Sequence, residues 1–413
     1  MAQRVVIVGA GHAAGELCGA LVQSSVTAAN GPGHDLSITL IGDEPDLPYQ
    51  RPPLSKAYLT GKLPRERLFL RDTAFYRDAE VTCHLAARMT QIDRDARMVM
   101  TEKGDRVPYD TLVLATGAAV RRLPVPGAEM SGVHYVRTIA DTEALSVEMK
   151  TARRLVVIGG GYIGLEVAAS ARRKGLEVTV LEAMPRILAR VASEELSAAV
   201  TGLHEREGVE IATQATVSEI VGDTSVSSVR LSDGSEILCD LIVVGIGVIP
   251  NDEQAAAAGL DVDNGIQVDA HCRTSDPNIF AAGDVARFKL EGHGSVRIES
   301  VQNAAEQAKH IAAHIQGQVP QAAYAPTPWF WSDQYDTKIQ IAGLSGSQDA
   351  VFHRPGGQTQ VGSYWLYREN KLIAVEAFGD ARAYMMGKRW LENNITPDPA
   401  RVANPDIAIK QVV

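Results

Sequence analysis

A chain of 413 residues is long enough for two or three domains, and its balance of charged and apolar residues is that of an ordinary globular protein. The formal net charge of −10 disfavours non-specific binding to nucleic acid. The apolar runs are too short to span a membrane, and a strand pattern starts close to the N-terminus, so we expect no signal peptide and a cytoplasmic location.

The chain opens with a strand pattern followed by glycines. Residues 5–8 form a continuous apolar run, which is typical of a strand buried on both faces. Gly9 and Gly11 follow, and Ala14 stands where a third glycine is usual. Alanine is tolerated at this position, where helix and strand pack closely. The pattern predicts a dinucleotide-binding turn and a helix that ends at about residue 22.

The next segment predicts a loop and the second strand of this unit. Residues 24–35 are small and polar, and the Asn-Gly-Pro-Gly sequence at 30–33 disfavours regular structure. A strand is expected at 36–41, followed by Asp43 and Glu44. An acid at the end of the second strand is placed to bind a ribose. Either acid fits this role, and we favour Glu44.

Residues 48–62 predict a constrained loop, because three prolines lie within them. Arg51 and Lys56 are cations on this loop, either solvated or in contact with a cofactor. Short strands are then expected between residues 81 and 114. The last of them ends in a turn of small residues that starts at Ala115, where backbone can approach a cofactor.

The strongest motif lies at the centre of the chain. An apolar run at 155–158 precedes Gly159, Gly161 and Gly164, a helix pattern follows, and a second strand pattern ends on Glu182. In such a motif the first glycine permits the tight turn, and the second lets a pyrophosphate approach the backbone. The third permits close packing of helix and strand. The sequence therefore predicts a complete βαβ dinucleotide-binding unit.

Two fingerprints predict two dinucleotides. A carboxylate at Glu182 would repel a 2′-phosphate, so the sequence favours NADH over NADPH. The other nucleotide must accept the hydride, and FAD is the usual acceptor. Lys56 would then lie beside the flavin ring, where a positive charge favours the reduced form. Arg186 and Arg190 would contact pyrophosphate, a 2′-phosphate or solvent, and a duplicated domain with one inactive copy is the alternative interpretation.

The two halves follow the same order of elements. The strand at 241–244 leads into small residues at 245–251, as the strand before Ala115 does, which indicates an internal repeat. Asp284 lies just after the carboxyl end of a later apolar strand, which is where ligands bind in open α/β sheets. Asp284 would bind a ribitol hydroxyl or cap the next turn. A helix is expected from about 303 to 315.

From residue 326 the pattern becomes strand-like and rich in aromatic residues, with a helix near 381–393. It predicts a third, antiparallel α+β domain whose aromatic residues form a core, with one or two of them covering the flavin. The expected domains are an FAD-binding domain at 1–117 and 249–325, an NAD-binding domain at 118–248 and a C-terminal domain at 326–413.

The cysteines and histidines predict no disulfide relay and no metal site. None of the four cysteines is paired as C-x-x-C or C-x4-C, and we expect them to be small buried residues: Cys18, Cys83, Cys239 and Cys272. His310 and His314 lie four apart on a predicted helix. We interpret them as two exposed helical histidines rather than as half a metal site.

These motifs together resemble a known family over nearly the whole chain. The sequence is similar to the NADH-dependent, FAD-containing ferredoxin reductases of bacterial oxygenase systems. The segments that carry the resemblance are VVIVGAGHAAGE (5–16), RPPLSKAYLTGK (51–62), LVLATGA (112–118), LVVIGGGYIGLEVA (155–168), GIGVIPN (245–251), TSDPNIFAAGDVAR (274–287), RIESVQNAAEQA (297–308) and PWFWSDQY (328–335). The RPPLSK, RIESVQNA and PWFWSDQY segments are the more specific ones. They are most similar to the putidaredoxin reductase-like branch, which feeds haem-thiolate monooxygenases. The branch that serves dioxygenases differs mainly at 297–308 and ranks second.

The resemblance implies an α/β fold of the glutathione-reductase type, with two Rossmann-like dinucleotide-binding domains and a C-terminal α+β domain. It implies that the FAD contacts are made by Ala14, Arg51, Lys56, Ala115, Asp284 and Val301, with Trp331 near the isoalloxazine. Glu166 would approach the nicotinamide amide and pair with Lys56 when NADH is absent. The long segment at 24–35 departs from the family pattern and leaves the position of the first acid open.

The resemblance also implies a relay in which NADH reduces the flavin, and the reduced flavin then passes single electrons to a [2Fe–2S] ferredoxin. Because such ferredoxins are usually acidic, docking requires local basic residues, and the candidates are Lys309, Lys338, Lys388 and Arg389. We expect a monomer or weak homodimer with no nucleic-acid or membrane partner.

Two alternatives remain at this point. An NADH oxidase or peroxidase of the same fold needs a cysteine near the flavin, and the RPPLSK segment supplies none. An NADH-responsive interaction protein, like the apoptosis-inducing-factor relatives of the fold, would show an extra interaction segment, and none is evident.

Overall fold

The computed structural model describes residues 2–27, 36–318, 320, 322–346, 349–357 and 361–413. Its α-helices, in chain order, are α1 (His12–Thr27), α2 (Thr73–Asp78), α3 (Ile139–Glu148), α4 (Tyr162–Arg173), α5 (Glu194–Arg206), α6 (Glu253–Ala257), α7 (Val301–Ile315), α8 (Ala381–Glu392) and α9 (Pro399–Ala403). Its strands are β1 (Gln3–Val8), β2 (Leu36–Ile41), β3 (Thr82–His84), β4 (Met89–Asp93), β5 (Met98–Thr101), β6 (Arg106–Pro108), β7 (Thr111–Leu114), β8 (Ala118–Val120), β9 (Val133–His134), β10 (Arg154–Ile158), β11 (Glu177–Glu182), β12 (Val209–Thr213), β13 (Val217–Gly222), β14 (Val226–Leu231), β15 (Glu236–Leu238), β16 (Leu241–Val244), β17 (Val248–Pro250), β18 (Ile266–Gln267), β19 (Ile279–Ala281), β20 (Ala286–Leu290), β21 (Gly294–Val296), β22 (Trp329–Gln334), β23 (Thr337–Gly343), β24 (Ala350–Pro355), β25 (Gly362–Arg368) and β26 (Lys371–Phe378).

The chain divides into two compact units. The first unit consists of Met1–Arg51, Pro64–Ala119 and Val248–Pro326, and the second of Pro52–Leu63, Val120–Gly247 and Thr327–Val413. Contacts therefore place Pro52–Leu63 with the second unit, whereas the expected domain division puts this segment in the FAD-binding domain.

The first unit is built on a parallel sheet with the strand order β19-β7-β1-β2-β3. Its central strand β1 is buried on both faces, as its continuous apolar run predicts. Val5 and Ile7 pack with α1 and α7 on one face, and Val6 and Val8 pack with β4 and β5 on the other. Successive side chains of a strand point to opposite faces of the sheet. The single strand β1 therefore packs against helices on one face and against a small antiparallel sheet on the other.

One sequence expectation about the first unit is wrong. The helix α1 continues to Thr27, so it includes residues 24–27, which the polar composition had assigned to a loop. The rest of that expected loop, residues 28–35, lies outside the described residues. The observed ends of α4 and α7 differ by two residues or fewer from the predicted ends. Both helices begin next to a turn that the sequence marks clearly.

The second unit contains a parallel sheet of the same kind and a separate antiparallel sheet. The parallel sheet has the order β12-β11-β10-β16-β9, and Val156 and Ile158 of its central strand pack towards the meander β13-β14-β15. The antiparallel sheet, β22-β23-β26-β25-β24, is covered by α8 through a core that includes Trp365, Val375 and Trp390. The predicted fold class, two Rossmann-like units and a C-terminal α+β part, is confirmed. No helix among the described residues has the length and apolarity that crossing a bilayer requires.

Candidate functional site

The glycine turn of the first unit leaves room for a ligand at the start of α1. Gly9 has φ +109°, and a Cβ there would lie 2.1 Å from the carbonyl oxygen of Ala115, so only glycine fits. At Gly11, by contrast, no atom lies within 4 Å of the position that a Cβ would take. This open space faces the first turn of α1, whose backbone N–H groups attract anions. The turn therefore fits a pyrophosphate.

The second unit repeats this geometry. Gly159 also has φ +109°, and its Cβ would lie 2.4 Å from the carbonyl oxygen of Gly245, which corresponds to Ala115. Gly161 is the N-cap of α4, with only the Gly245 oxygen near its open side, at 3.9 Å. A Cβ at Gly164 would meet the Gly159 oxygen at 2.3 Å, so close packing of helix and turn requires this glycine.

The residue that starts each fingerprint helix carries an unsatisfied polar atom. His12 begins α1 and Tyr162 begins α4. The His12 Nδ1 and the Tyr162 hydroxyl are buried and have no hydrogen-bond partner among the described residues. Burial lowers the pKa of His12 and raises the pKa of Tyr162. Neither residue was predicted from the sequence, although the two share a position directly after the second glycine of each fingerprint.

The acid of the second unit is fixed by the backbone of the glycine turn. Glu182 is the last residue of β11, and its Oε2 accepts a hydrogen bond of 2.8 Å from the Gly160 N–H. Its Oε1 accepts another of 2.8 Å from the Met184 N–H. Two backbone donors orient the carboxylate beside the turn, where it has lone pairs left to accept hydrogen bonds from ribose hydroxyls.

The first unit has no acid at the equivalent position. Ile41 and Leu181 occupy the same register, because their carbonyl oxygens accept from the N–H groups of Gly9 and Gly159 respectively. The counterpart of Glu182 is therefore Gly42, and a Cβ there would lie 2.6 Å from the Ala10 Cβ. Contact with Ala10 excludes a side chain at this point, so an acid can follow only one or two residues later.

Of the two acids that follow, Glu44 is already engaged within its own unit. Its Oε2 accepts a hydrogen bond of 2.5 Å from the Tyr49 hydroxyl, and its Oε1 lies 2.6 Å from Arg51 Nη2. Arg51 also donates to the Tyr49 hydroxyl at 2.9 Å. Asp43 is exposed. The structure thus joins Glu44 and Arg51, which were predicted separately as site residues, in one network that holds the guanidinium in place.

Three further predicted FAD residues lie at element ends of the first unit. Ala115 directly follows β7, and Asp284 lies in a short 3-10 turn after β19, in which Gly283 has φ +77°. Val301 is the first residue of α7, whose N-cap is Ser300. Ala14, the fourth predicted contact, is fully buried in α1. The carboxyl ends of adjacent parallel strands share one edge of a sheet, which is where ligands of such folds bind.

The second unit contains a buried ion pair between two predicted site residues. Lys56 Nζ lies 2.9 Å from Glu166 Oε1, and the Glu166 side chain is only 5% exposed. The Ser332 hydroxyl donates to Oε1 and the Ser55 hydroxyl to Oε2, each at 2.6 Å. Burial raises the pKa of Glu166, although Lys56 and both serines oppose the shift. The resemblance implied this pairing, whereas neither serine was predicted as a partner of Glu166.

Lys56 has two further neighbours on β22. Asp333 Oδ2 lies 3.9 Å from its ammonium, and the Trp331 ring centre lies 5.9 Å from it. Trp331 also contacts Trp329, with ring centres 5.7 Å apart. The predicted residues Lys56, Glu166 and Trp331 therefore share one neighbourhood within the second unit.

The four cysteines are in surroundings that disfavour the thiolate. All four are outside disulfides; three are buried and Cys83 is half-buried. Burial raises the pKa of Cys18 and of Cys239 to about 12 and also raises the pKa of Cys83 and Cys272. A thiol must ionise before it can act as a nucleophile or relay electrons through a disulfide.

The predicted docking cations are spread over separate elements. Lys309 is exposed on α7 of the first unit. In the second unit Lys338 lies on β23, 3.6 Å from Asp333, and Arg389 is exposed on α8. Lys388 Nζ lies 3.1 Å from Glu392 and 5.3 Å from the Trp329 ring centre. Lys338 and Lys388 thus lie on different elements of the second unit, and each contacts a different acid.

Comparison with known proteins agrees with this architecture. Residues 3–308 match the family model described as pyridine nucleotide-disulphide oxidoreductase, and residues 329–413 match the reductase C-terminal domain. The chain is 42% identical to rhodocoxin reductase of Rhodococcus erythropolis, covering 99% of this chain and 94% of that protein. It is 40% identical to the anthranilate 1,2-dioxygenase system ferredoxin–NAD(+) reductase component of Burkholderia cepacia, covering 98% of each.

Among solved structures, the reductase in the covalent putidaredoxin reductase–putidaredoxin complex superposes with a TM-score of 0.93 at 38% identity, covering 99% of this chain and 98% of the other. The paired glycine turns, the C-terminal sheet and these full-length matches lead to one assignment. The chain belongs to the pyridine nucleotide-disulphide oxidoreductase family, within its group of ferredoxin–NAD(P)+ reductases.

Proposed function

We propose that this protein is an NADH-dependent FAD enzyme that reduces a [2Fe–2S] ferredoxin serving a haem-thiolate monooxygenase. The proposed division of labour follows the expected domains, with FAD held by 1–117 and 249–325, NADH by 118–248, and residues 326–413 completing the reductase. Bound FAD would accept the NADH hydride and release the two electrons singly.

The observation that carries the proposal is the state of the cysteines. Relatives that use a disulfide need a thiolate beside the flavin, whereas here burial raises the pKa of all four thiols. None lies in Pro52–Leu63, where Lys56 and Ser55 stand instead. Electrons taken from NADH therefore cannot pass to an internal disulfide. This supports an external one-electron carrier as their acceptor.

The first unit supplies the groups that would bind FAD. The open side of Gly11 and the N-terminus of α1 fit its pyrophosphate. The N-terminus of α7 at Val301 favours negative charge on a bound flavin. Asp43 or Glu44 would accept from the ribose, and Asp284 from the ribitol. We favour Asp43 for the ribose if Glu44 keeps its contacts to Tyr49 and Arg51.

The second unit supplies the groups that would bind NADH and stabilise charge. Glu182, oriented by two backbone N–H groups, would accept from the adenosine ribose and repel a 2′-phosphate. Lys56 would hold positive charge near the flavin while Glu166 turns to the nicotinamide amide. Ser55 and Ser332 hold the carboxylate until then.

The second candidate is a reductase for an aromatic-ring dioxygenase. One observation favours it: the 40% identity to the reductase component of a dioxygenase system is almost as high as the 42% identity to rhodocoxin reductase. Overall identity therefore does not separate the two branches. Our preference for the monooxygenase branch rests on the RIESVQNA sequence within 297–308.

NADH-driven reduction of cytochrome c by the purified yellow protein tests the proposal. The assay is run with and without an added [2Fe–2S] ferredoxin while peroxide is measured in parallel. We expect a rate that depends on ferredoxin and little peroxide. Rapid NADH consumption that ignores ferredoxin and ends in peroxide or water would instead assign the chain to the oxidases of this fold.

A further inference from the structure

Three histidines of the first unit meet at the C-terminal half of α7. His310 and His314 lie one turn apart on this helix, and His271 lies in the loop between β18 and β19. One ring nitrogen from each histidine lies within 4.8 Å of the other two. All three side chains are half-buried, so the expectation of two exposed helical histidines is wrong, and the third member came from a distant part of the sequence.

One of the three distances equals that between two ligands of one metal ion. His271 Nδ1 and His310 Nε2 are 3.3 Å apart. Two nitrogens bound to one tetrahedral Zn²⁺ at about 2.0–2.1 Å are separated by roughly 3.4 Å. The His314 Nε2 is buried and has no hydrogen-bond partner among the described residues, although a buried nitrogen normally has one. A metal ion at this point would give that nitrogen a partner.

The chemistry of the three side chains also suits a metal. Imidazole nitrogens are ligands that zinc, nickel and copper readily accept in proteins. The neighbouring Arg273 stacks on Phe280, with its guanidinium carbon 5.4 Å from the ring centre.

The loop that carries His271 is held in place without any metal. Asp269 Oδ1 accepts hydrogen bonds from the backbone N–H groups of His271 and Arg273, at 2.8 and 2.9 Å. The Ala270 carbonyl accepts from the Tyr324 N–H at 2.7 Å, and the Tyr324 ring lies 5.8 Å from His310. The three ligands are therefore positioned before a metal binds, which lowers the entropic cost of binding.

We propose that His271, His310 and His314 form a binding site for one divalent cation of the late first-row type, Zn²⁺ foremost, with water in the fourth position. The ion connects the His271 loop to α7 and stabilises this part of the first unit. His310 lies nine residues after Val301, about 14 Å along the helix axis, so the site is separate from the proposed FAD contact.

The test uses the full chain with FAD bound and without a histidine tag. Zn²⁺ binding is measured by calorimetry and by metal analysis after desalting, and Co²⁺ serves as a spectroscopic probe. The variants are His310→Gln and His314→Gln, and His353→Gln, an exposed histidine of β24, is the matched control. We expect one Zn²⁺ per chain and visible Co²⁺ absorption of a tetrahedral site.

We further expect each ligand variant to weaken Zn²⁺ binding by at least about tenfold, while His353→Gln leaves it unchanged. Zn²⁺ should raise the midpoint of thermal unfolding of the natural protein and of His353→Gln only. Binding that survives in both ligand variants would overturn the proposal. The absence of a Co²⁺ spectrum in the natural protein would also overturn it, whether or not the variants fold.

Discussion

The ammonium group of Lys56 lies 2.9 Å from Glu166 Oε1, in a position where the carboxylate is almost completely buried. Ser55 and Ser332 donate to the same carboxylate, so the strong partners of Glu166 come from two separate segments of the second unit, Pro52–Leu63 and β22. A buried ion pair of this kind contributes modestly as a pair, but it is costly to break on one side, because the remaining charge loses its partner.

We therefore expect the effects of Lys56→Met and Glu166→Gln on stability to be strongly non-additive. Each single change should lower the free energy of unfolding by about 3 kcal/mol, and the double variant should recover part of that loss. Urea unfolding of the four proteins gives the coupling energy. Lys62→Met, which removes an exposed lysine of the same segment, is the control and should be nearly neutral. Additive effects would show that the two side chains do not interact.

The second prediction concerns coenzyme choice. Glu182→Gln keeps an oxygen that can accept from Gly160 but removes the charge that would repel a 2′-phosphate. We expect the ratio of kcat/KM for NADPH to kcat/KM for NADH to rise about tenfold, a change of about 1.4 kcal/mol. Glu210→Gln, on the exposed side of the neighbouring β12, is the control. An unchanged ratio would mean that Glu182 only holds the glycine turn and does not select the coenzyme.

The third prediction concerns the thiols. Because burial raises the pKa of Cys18 and Cys239 to about 12, their thiolate fraction at pH 8 is about one in ten thousand. We expect the folded protein to expose at most one thiol to a disulfide reagent, Cys83, and all four after denaturation. Cys83→Ser should remove the fast phase entirely. Fast reaction of two or more thiols in the folded protein would contradict the burial of Cys18, Cys239 and Cys272.

The fourth prediction concerns ferredoxin docking. Lys338→Glu and Lys388→Glu should each raise the KM for an acidic ferredoxin several-fold at low salt, and added salt should diminish the effect. Since the two lysines lie on different elements and contact different acids, Asp333 and Glu392, their effects should multiply in the double variant. Lys371→Glu, an exposed lysine at the start of β26, is the control. If KM stays constant in both variants, docking uses a different surface.

The local parts of the fold were predictable because they depend on neighbours in sequence. A buried strand, a glycine turn and a helix N-terminus follow one another in both units, and Gly9 and Gly159 adopt the same φ of +109° as this order requires. The position of the acid that follows β2 in the first unit was harder to predict. It depends on the contact between Gly42 and Ala10, which no linear pattern displays.

Tertiary contacts account for what the sequence left out. Ser332 reaches Glu166 from a strand that lies more than 160 positions later in the chain. His271 meets His310 from a loop, so helical spacing alone reveals two of the three histidines. The end of α1 was misplaced for a different reason: polar, small residues lower helix propensity only slightly, and a helix already nucleated can continue through them.

The last prediction concerns a second buried acid, Glu376, on the C-terminal sheet. It is fully buried, and its carboxylate accepts from the Ser193 N–H at 3.0 Å and from the Ser193 hydroxyl at 2.5 Å. Burial, reinforced by the charge of Glu195, raises the pKa of Glu376 above its ordinary value of 4.5, although the serine hydrogen bonds oppose the shift. The folded state therefore keeps this proton at pH values where the unfolded state has lost it.

The sign of the pH dependence follows from this difference. An acid with a raised folded pKa favours folding below its unfolded pKa, and this contribution is lost as the pH rises from about 4.5 through the folded pKa. Glu376→Gln removes the titration but keeps an acceptor for Ser193. The free energy of unfolding of the natural protein, minus that of Glu376→Gln, should therefore fall as pH rises, by at most about 1.4 kcal/mol per pH unit. Urea unfolding between pH 4.5 and 8, with the exposed Glu291→Gln as control, measures it. A difference that stays constant or rises with pH would mean that the serine hydrogen bonds outweigh burial and keep Glu376 ionised.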